Sequence, residues 1–310
     1  SSPGYLLFKH NSLSAGMLRF TGNAKQETAT LDNNESLIRL AIDFGTTTTA
    51  VASQAGPGGQ IIVQGLDCNH VTWLLNRSEG QENAAKHFIS DGLCRRSGPD
   101  TIVPTLVRML RSPDELSEDG SNVHLDGNIA YQTNEDGSDN NIHGGFKIIL
   151  HSDSIHHTDY VKMQQMYTRI FIKQMLQMHL LRCRQEKAAR IDVRFATPLA
   201  LTVDEKKTLM EIFNSVTNEV AAQAGFNVTN DVQVRFTTES MAVGAYFHRN
   251  SPVIALGQDG GIFTLDIGGG TSDYSFWNRA NNKVNAFVCC ANNLAGHEIF
   301  SHYLYRELMA

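Results

Sequence analysis

The chain reads as an α/β protein, and three features of its sequence say so. Strand-like apolar runs alternate with segments of helical periodicity from residue 37 onward. Leu37–Gly45 (LIRLAIDFG) is almost continuously apolar, which suits a strand at the centre of a sheet covered on both faces. One strand and glycine-turn unit recurs far downstream, so that Asp43 and Asp266 each stand as the last polar residue of a strand, two places before a glycine. Two copies of one supersecondary unit imply two related lobes.

The elements follow in order. Residues 1–36 are polar and irregular apart from an apolar patch at Met17–Phe20, and read as a tail or the end of a preceding domain. After Leu37–Gly45 come the β-branched run Thr46–Ser53, the breaker Gly56-Pro57-Gly58-Gly59 and the run Gln60–Leu66, together a three-strand meander. Residues 67–146 are loop-rich, and Ser112-Pro113-Asp114 with the polar stretch Asn134–Asn141 mark an exposed insertion. Tyr160–Cys183 places Val161, Met163, Met166, Ile170, Phe171, Leu176 and Leu180 at mostly helical offsets, a buried packing face. His151, His156 and His157 read as a solvated approach to that helix rather than a metal cluster.

Arg190–Ala196 is a strand ending at Pro198. Thr202 and Glu205 form a capping box for a helix carrying Leu209, Ile212, Phe213, Val216 and Val220, with Gly225 as its stop. Val232–Phe236 is a strand, and Glu239–His248 a helix whose small Ala242, Gly244 and Ala245 serve either close packing or a hinge. Ile262–Gly270, Thr271–Trp277 and Lys283–Cys290, with a turn at Asn278–Asn282, repeat the meander.

Composition narrows the function. Lys and Arg number 26 against 32 Asp and Glu, and the resulting charge of −6 argues against a nucleic-acid surface. No apolar run reaches the roughly 18 residues of a membrane span. Cys68, Cys94, Cys183, Cys289 and Cys290 are odd in number and form no CxxC, so reduced thiols in a cytoplasmic protein are the simplest reading. The chain starts Ser-Ser-Pro and stops at Met309-Ala310 inside a helical pattern, so it is expected to be a piece of a longer protein.

Asp-x-Gly-Thr-Thr at a strand end assembles groups suited to phosphate. Gly45 lets the chain turn tightly, and the amides after it can face an anion. Thr46, Thr47 and Thr48 add hydroxyl donors, while Asp43 is placed to orient a water on a divalent cation. Asp266, Gly268, Gly269, Gly270 and Thr271 offer the same parts from the second copy. Facing each other, two such hairpins would grip the β- and γ-phosphates of a nucleotide, with Mg²⁺ and its waters between the aspartates. Asp273 serves either its hairpin or the ion.

At these residues the chain resembles the actin, sugar kinase and heat-shock chaperone ATPase superfamily, most closely the nucleotide-binding domain of DnaK-type chaperones. Ala41–Thr47 (AIDFGTT) is similar to that family's first phosphate motif and Leu265–Asp273 (LDIGGGTSD) to its second. Thr238–Phe247 (TESMAVGAYF) is similar to the first connecting helix, with Thr238-Glu239-Ser240 where the family has Asn-Glu-Pro. Leu294–Phe300 (LAGHEIF) resembles the family's Leu-Gly-Gly-Glu-Asp-Phe with one residue more. The resemblance spans about residues 37–310. It implies a ribonuclease H-like, actin-like ATPase fold: residues 37–249 as a complete lobe I with its insertion in 67–146, and residues 250–310 as the start of a truncated lobe II.

The resemblance also assigns roles. Phe146–Leu150 (FKIIL) is similar to a family segment whose lysine approaches the γ-phosphate and the attacking water, which makes Lys147 the candidate for that role. Glu239 takes the place of a glutamate that positions metal-bound water, and Pro198 that of a proline relaying nucleotide state. The implied catalytic set is Lys147, Glu239, Asp266 and Asp43, with Asp43 and Asp266 on the metal through water. ATP and Mg²⁺ are the implied cofactors and protein clients or co-chaperones the implied partners. The activity is expected of the parent protein, with weak nucleotide binding here, because the family's adenosine motif lies beyond the segment matched. Two other readings use the same superfamily: an actin-like filament or scaffold protein that assembles on ATP, and a small-molecule kinase.

Overall fold

The computed structural model describes residues 5–10, 13–19, 36–56, 58–64, 103–109, 127–130, 142–147, 158–186, 188–250, 261–280 and 283–292. The polar first segment is not wholly irregular. β1 (Tyr5–His10) and β2 (Leu13–Arg19) pair as an antiparallel hairpin, with a register shift between Phe8 and Lys9. Mixed apolar and polar residues over six or seven positions suffice for a hairpin when a turn brings the strands back, and that composition alone conceals it.

The main sheet holds β3 (Leu37–Phe44), β4 (Thr48–Ala55), β5 (Ile61–Gln64), β6 (Val103–Pro104), β10 (Arg190–Thr197) and β11 (Val232–Thr238). Its order is β11-β10-β3-β4-β5, with β6 on β4. The three strands β11, β10 and β3 run parallel, and β3, β4 and β5 form the expected antiparallel meander. β4 begins at Thr48 rather than Thr46, because Gly45–Thr47 are spent on the turn.

Side chains alternate along β3. Ile38, Leu40, Ile42 and Phe44 are buried, whereas Arg39, Ala41 and Asp43 point to the other face. The inward set packs on two helices, α1 (Thr158–Gln185) and α2 (Val203–Gln223). Phe44 lies 5.8 Å from Phe171 of α1 and 5.6 Å from Phe213 of α2, and Phe213 stacks on Phe195 of β10 at 4.1 Å. Such ring pairs add about 0.5–1.5 kcal/mol each beyond area burial. Lys173 of α1 is buried and paired with Glu219 of α2 at 2.5 Å. Of the two faces expected to be covered, one is packed by these helices among the described residues; the other borders an open cavity.

The capping box at the start of α2 is complete: Thr202 Oγ1 accepts from the Glu205 amide, and Glu205 Oε2 accepts from the Thr202 amide. Gly225 has φ +83°, the left-handed conformation that a glycine stop supplies. Asn227 caps a short helix α3 (Val228–Asp231), a turn too brief to carry periodicity. Helix α4 (Glu239–Asn250) then follows β11 without a break.

Part of the segment read as an insertion is ordered sheet. β7 (Leu106–Met109) pairs with β8 (Gly127–Ala130) and β9 (Ile142–Gly144). Val107, Met109 and Ile129 belong to the main core, and Gln174 of α1 binds both Gly127 O and Ile129 N, at 2.8 and 2.9 Å. Strands of two to four residues show no readable period, so the sequence offered no signal for them. Ser112–Asp114, Asn134–Asn141, His151, His156, His157 and the Leu294–Phe300 motif lie outside the described residues.

The second meander is present as β12 (Gly261–Ile267), β13 (Ser272–Ala280) and β14 (Lys283–Asn292), all antiparallel. The protein is a mixed α/β fold. Among the described residues no helix is long and apolar enough to cross a membrane.

Candidate functional site

The two glycine turns meet. Gly45 ends β3 so tightly that a Cβ on it would sit 2.2 Å from Thr48 O. In the second turn the Gly268 amide donates to Thr271 O at 2.9 Å. A Cβ on Gly269 would fall 2.5 Å from Cγ2 of Thr47, so any larger residue there would push Thr47 aside where one loop touches the other. Thr46, Thr47 and Thr48 occupy the first turn and the start of β4, and Gly270 and Thr271 are buried in the second.

Behind the turns the chain gathers charge. Asp43, Glu239 and Asp266 line one cavity of about 500 Å³. Lys147, buried at 3% exposure, donates to Glu239 Oε1 at 2.7 Å, and its ammonium stands 5.7 Å from the Phe44 ring centroid. Asp273 is buried, and its Oδ1 has no hydrogen-bond partner. Lys147 is therefore bonded to Glu239 and also acts on Asp43 and Asp273, one ammonium for three carboxylates.

The electrostatics follow first from burial and then from that imbalance. Asp43 opens on the cavity, yet protein on most sides strips water from its carboxylate and raises its pKa; Glu239 and Asp266 push it further up and Lys147 draws it down. Loss of hydration likewise raises Glu239, against the pull of Lys147. Asp273 is raised by burial, while a backbone hydrogen bond from Leu199 holds it down and Asp266 pushes it up. A carboxyl raised on folding binds its proton more tightly in the folded chain than in the unfolded one. Its contribution to stability is thus full below the ordinary values of 3.8 to 4.5 and is lost as pH rises through the folded value. At neutral pH the cluster destabilises the fold, and a bound cation would offset this. Among the described residues no group of three His, Cys, Asp or Glu side chains is arranged to hold a metal ion directly.

One positioning residue escaped sequence reasoning. Thr105, between β6 and β7, donates from Oγ1 to Gly45 O at 2.9 Å, shares a hydrogen bond with Thr49 Oγ1 at 2.8 Å, and donates its amide to Thr47 O at 2.9 Å. It clamps the first turn from a segment about sixty residues away, which no local pattern announces. Thr105→Val leaves the buried Thr49 Oγ1 and the partly buried Gly45 O short of a partner, at an expected cost of about 1–2 kcal/mol. Urea denaturation checks this, and amide exchange at Thr47 and Thr49 should quicken. Searches against protein-family models and curated proteins found no match for the chain.

Proposed function

We propose that this site binds the Mg²⁺ complex of ATP and that the chain belongs to a chaperone-like ATPase whose two hairpins close on the nucleotide. The observation that carries the reading is the contact of Gly269 with Thr47 in front of Asp43 and Asp266, which line one cavity. The residues suit a hydrated cation: carboxylates in excess, three of them raised, and an unpartnered buried oxygen on Asp273. Asp43 and Asp266 would hold Mg²⁺ through its waters, and the ion would neutralise charge on the phosphate oxygens.

The chain's own groups do the rest. The free turn amides and the hydroxyls of Thr46, Thr47, Thr48 and Thr271 would supply the donors to the phosphates. Lys147, fixed by Glu239 and by the Phe44 ring, keeps N–H donors for an anionic oxygen. Glu239, with its raised proton affinity, is suited to orient a water and accept its proton. Positioning and charge are what phosphoryl transfer chiefly requires, so no covalent nucleophile is needed. Contact of the γ-phosphate with both turns would favour the closed state.

Thermal melting tests the reading. The described contacts reach phosphate and metal, so a millimolar affinity is expected. Ten millimolar Mg-ATP should then stabilise the chain by about 1.4 kcal/mol and raise Tm by about 2–3 °C. Asp266→Asn should abolish the rise. An absent shift, or an unchanged one in Asp266→Asn, rejects the proposal. Phosphate release without an added acceptor separates an ATPase from a small-molecule kinase.

A specific observation keeps the assembly reading in play. Phe263, Leu265 and Ile267 of β12 are more than half exposed, and Phe276 and Val288 lie on the same face of that sheet. Sedimentation that depends on ATP would favour filaments.

A further inference from the structure

A second charged cluster lies on the open face of the main sheet, its rows about 7 and 13 Å along the strands from Asp43. Arg39 is level with Asp192, and Arg194 with Arg235, across β3, β10 and β11. Three guanidinium groups converge there on one buried carboxylate. Arg194 donates from Nε and Nη2 to Asp192 Oδ2 at 3.1 and 2.7 Å; Arg39 Nε stands 3.9 Å from the same oxygen and Arg235 Nε 3.5 Å from Oδ1.

One guanidinium neutralises one carboxylate, so the cluster carries two surplus positive charges. The groups are also held in place. Arg39 Nη1 donates to Gln54 Oε1 at 3.3 Å and Arg235 Nη2 to Gln233 Oε1 at 2.7 Å. Arg39 Nε is enclosed with no hydrogen-bond acceptor. Arg194 and Arg235 keep 43% and 57% of their side chains exposed, and both line the cavity of about 500 Å³, beside Ala41, Ala52 and Ala196.

We propose that this cluster binds a phosphate monoester, gripped by Arg194 and Arg235 with Arg39 behind them, the body of the ligand resting on the alanine floor. A phosphate monoester carries about −1.5 to −2 charges at pH 7, which matches the surplus, whereas a monoanion leaves a charge unmatched. Guanidinium forks pair with phosphate oxygens two at a time, and forks already fixed by neighbours lose little freedom on binding. Asp43, Glu239 and Asp266 lie farther off in the same cavity, so attraction by the nearer arginines outweighs their repulsion. The site stands independently of the Mg-ATP reading. The phosphate group has two sources, a free small phosphomonoester or a phosphorylated side chain of a polypeptide.

The test is NMR titration of the full chain with phenyl phosphate and with the peptide acetyl-Ala-phosphoserine-Ala-amide, following the arginine Nε–H signals, with phenyl sulfate as a monoanionic control. Both phosphates should move the Arg194 and Arg235 signals, and phenyl sulfate should bind at least about tenfold more weakly. The tighter of the two phosphates identifies the source. Arg194→Ala and Arg235→Ala should each weaken binding by at least about tenfold. Arg194→Lys keeps the charge against unfolding but loses the fork, and should weaken binding several-fold. Asp266→Asn should leave phosphate binding intact even where it abolishes the Mg-ATP shift, which separates the two sites. No binding below 10 mM, equal binding of sulfate and phosphate, or affinities unchanged in the arginine variants would overturn the proposal.

Discussion

Replacing Lys147 with methionine is expected to cost about 3–5 kcal/mol of folding stability and, on the proposed Mg-ATP reading, to slow ATP hydrolysis by about a hundredfold or more. The ammonium is buried, bonded to Glu239 at 2.7 Å, and its charge also acts on Asp43 and Asp273. Lys147 lowers the pKa of both Asp43 and Glu239, so its loss lets both rise further. The sign of the pH dependence follows. Raised carboxyls favour the folded chain in acid and lose that advantage as pH increases through their folded values, so the deficit of the variant should be large at pH 7.5 and shrink toward pH 4. Chemical denaturation at the two pH values decides the matter. An equal deficit at both would mean that Lys147 acts through packing rather than charge.

Gly244→Val should be nearly as damaging, by about 3 kcal/mol, through a steric route. A Cβ at Gly244 would lie 1.9 Å from Cε2 and Cζ2 of Trp277, far inside van der Waals contact. The indole cannot swing aside cheaply: Trp277 is buried and its Nε1 donates to Ser275 Oγ at 2.7 Å. Helix α4 must move instead. Valine gains less than about 1 kcal/mol of helix propensity over glycine, so the clash wins. Because α4 opens at Glu239, its displacement pulls that carboxylate from Lys147, and Mg-ATP affinity should fall together with the denaturation midpoint. A variant as stable as the parent would show that α4 and β13 pack loosely.

What could be read from the chain beforehand was local. Asp43 with Gly45 and the threonines, and Asp266 with its three glycines, announce themselves because turn chemistry is written in consecutive residues. The capping box at Thr202 and the helix stop at Gly225 were legible for the same reason. What stayed hidden depends on which strand lies beside which. Thr105 braces a turn far from it in sequence, and Arg39, Asp192, Arg194 and Arg235 share a face only because β3, β10 and β11 are in register. The burial of Lys147 is likewise a property of the packed fold, since a lysine within the apolar run Phe146–Leu150 does not by itself show that its ammonium is enclosed.

The central claim is that Asp43 and Asp266, from opposite turns, act on one hydrated magnesium ion. A double-mutant cycle on Mg-ATP affinity, measured by phosphorus NMR for the parent chain, Asp43→Asn, Asp266→Asn and the double variant, tests it most directly. If the carboxylates share an ion, loss of one already loosens it. The second substitution should then cost less than it does alone, by about 0.5–3 kcal/mol of coupling. Strictly additive losses, or affinities unchanged by either substitution, would contradict it.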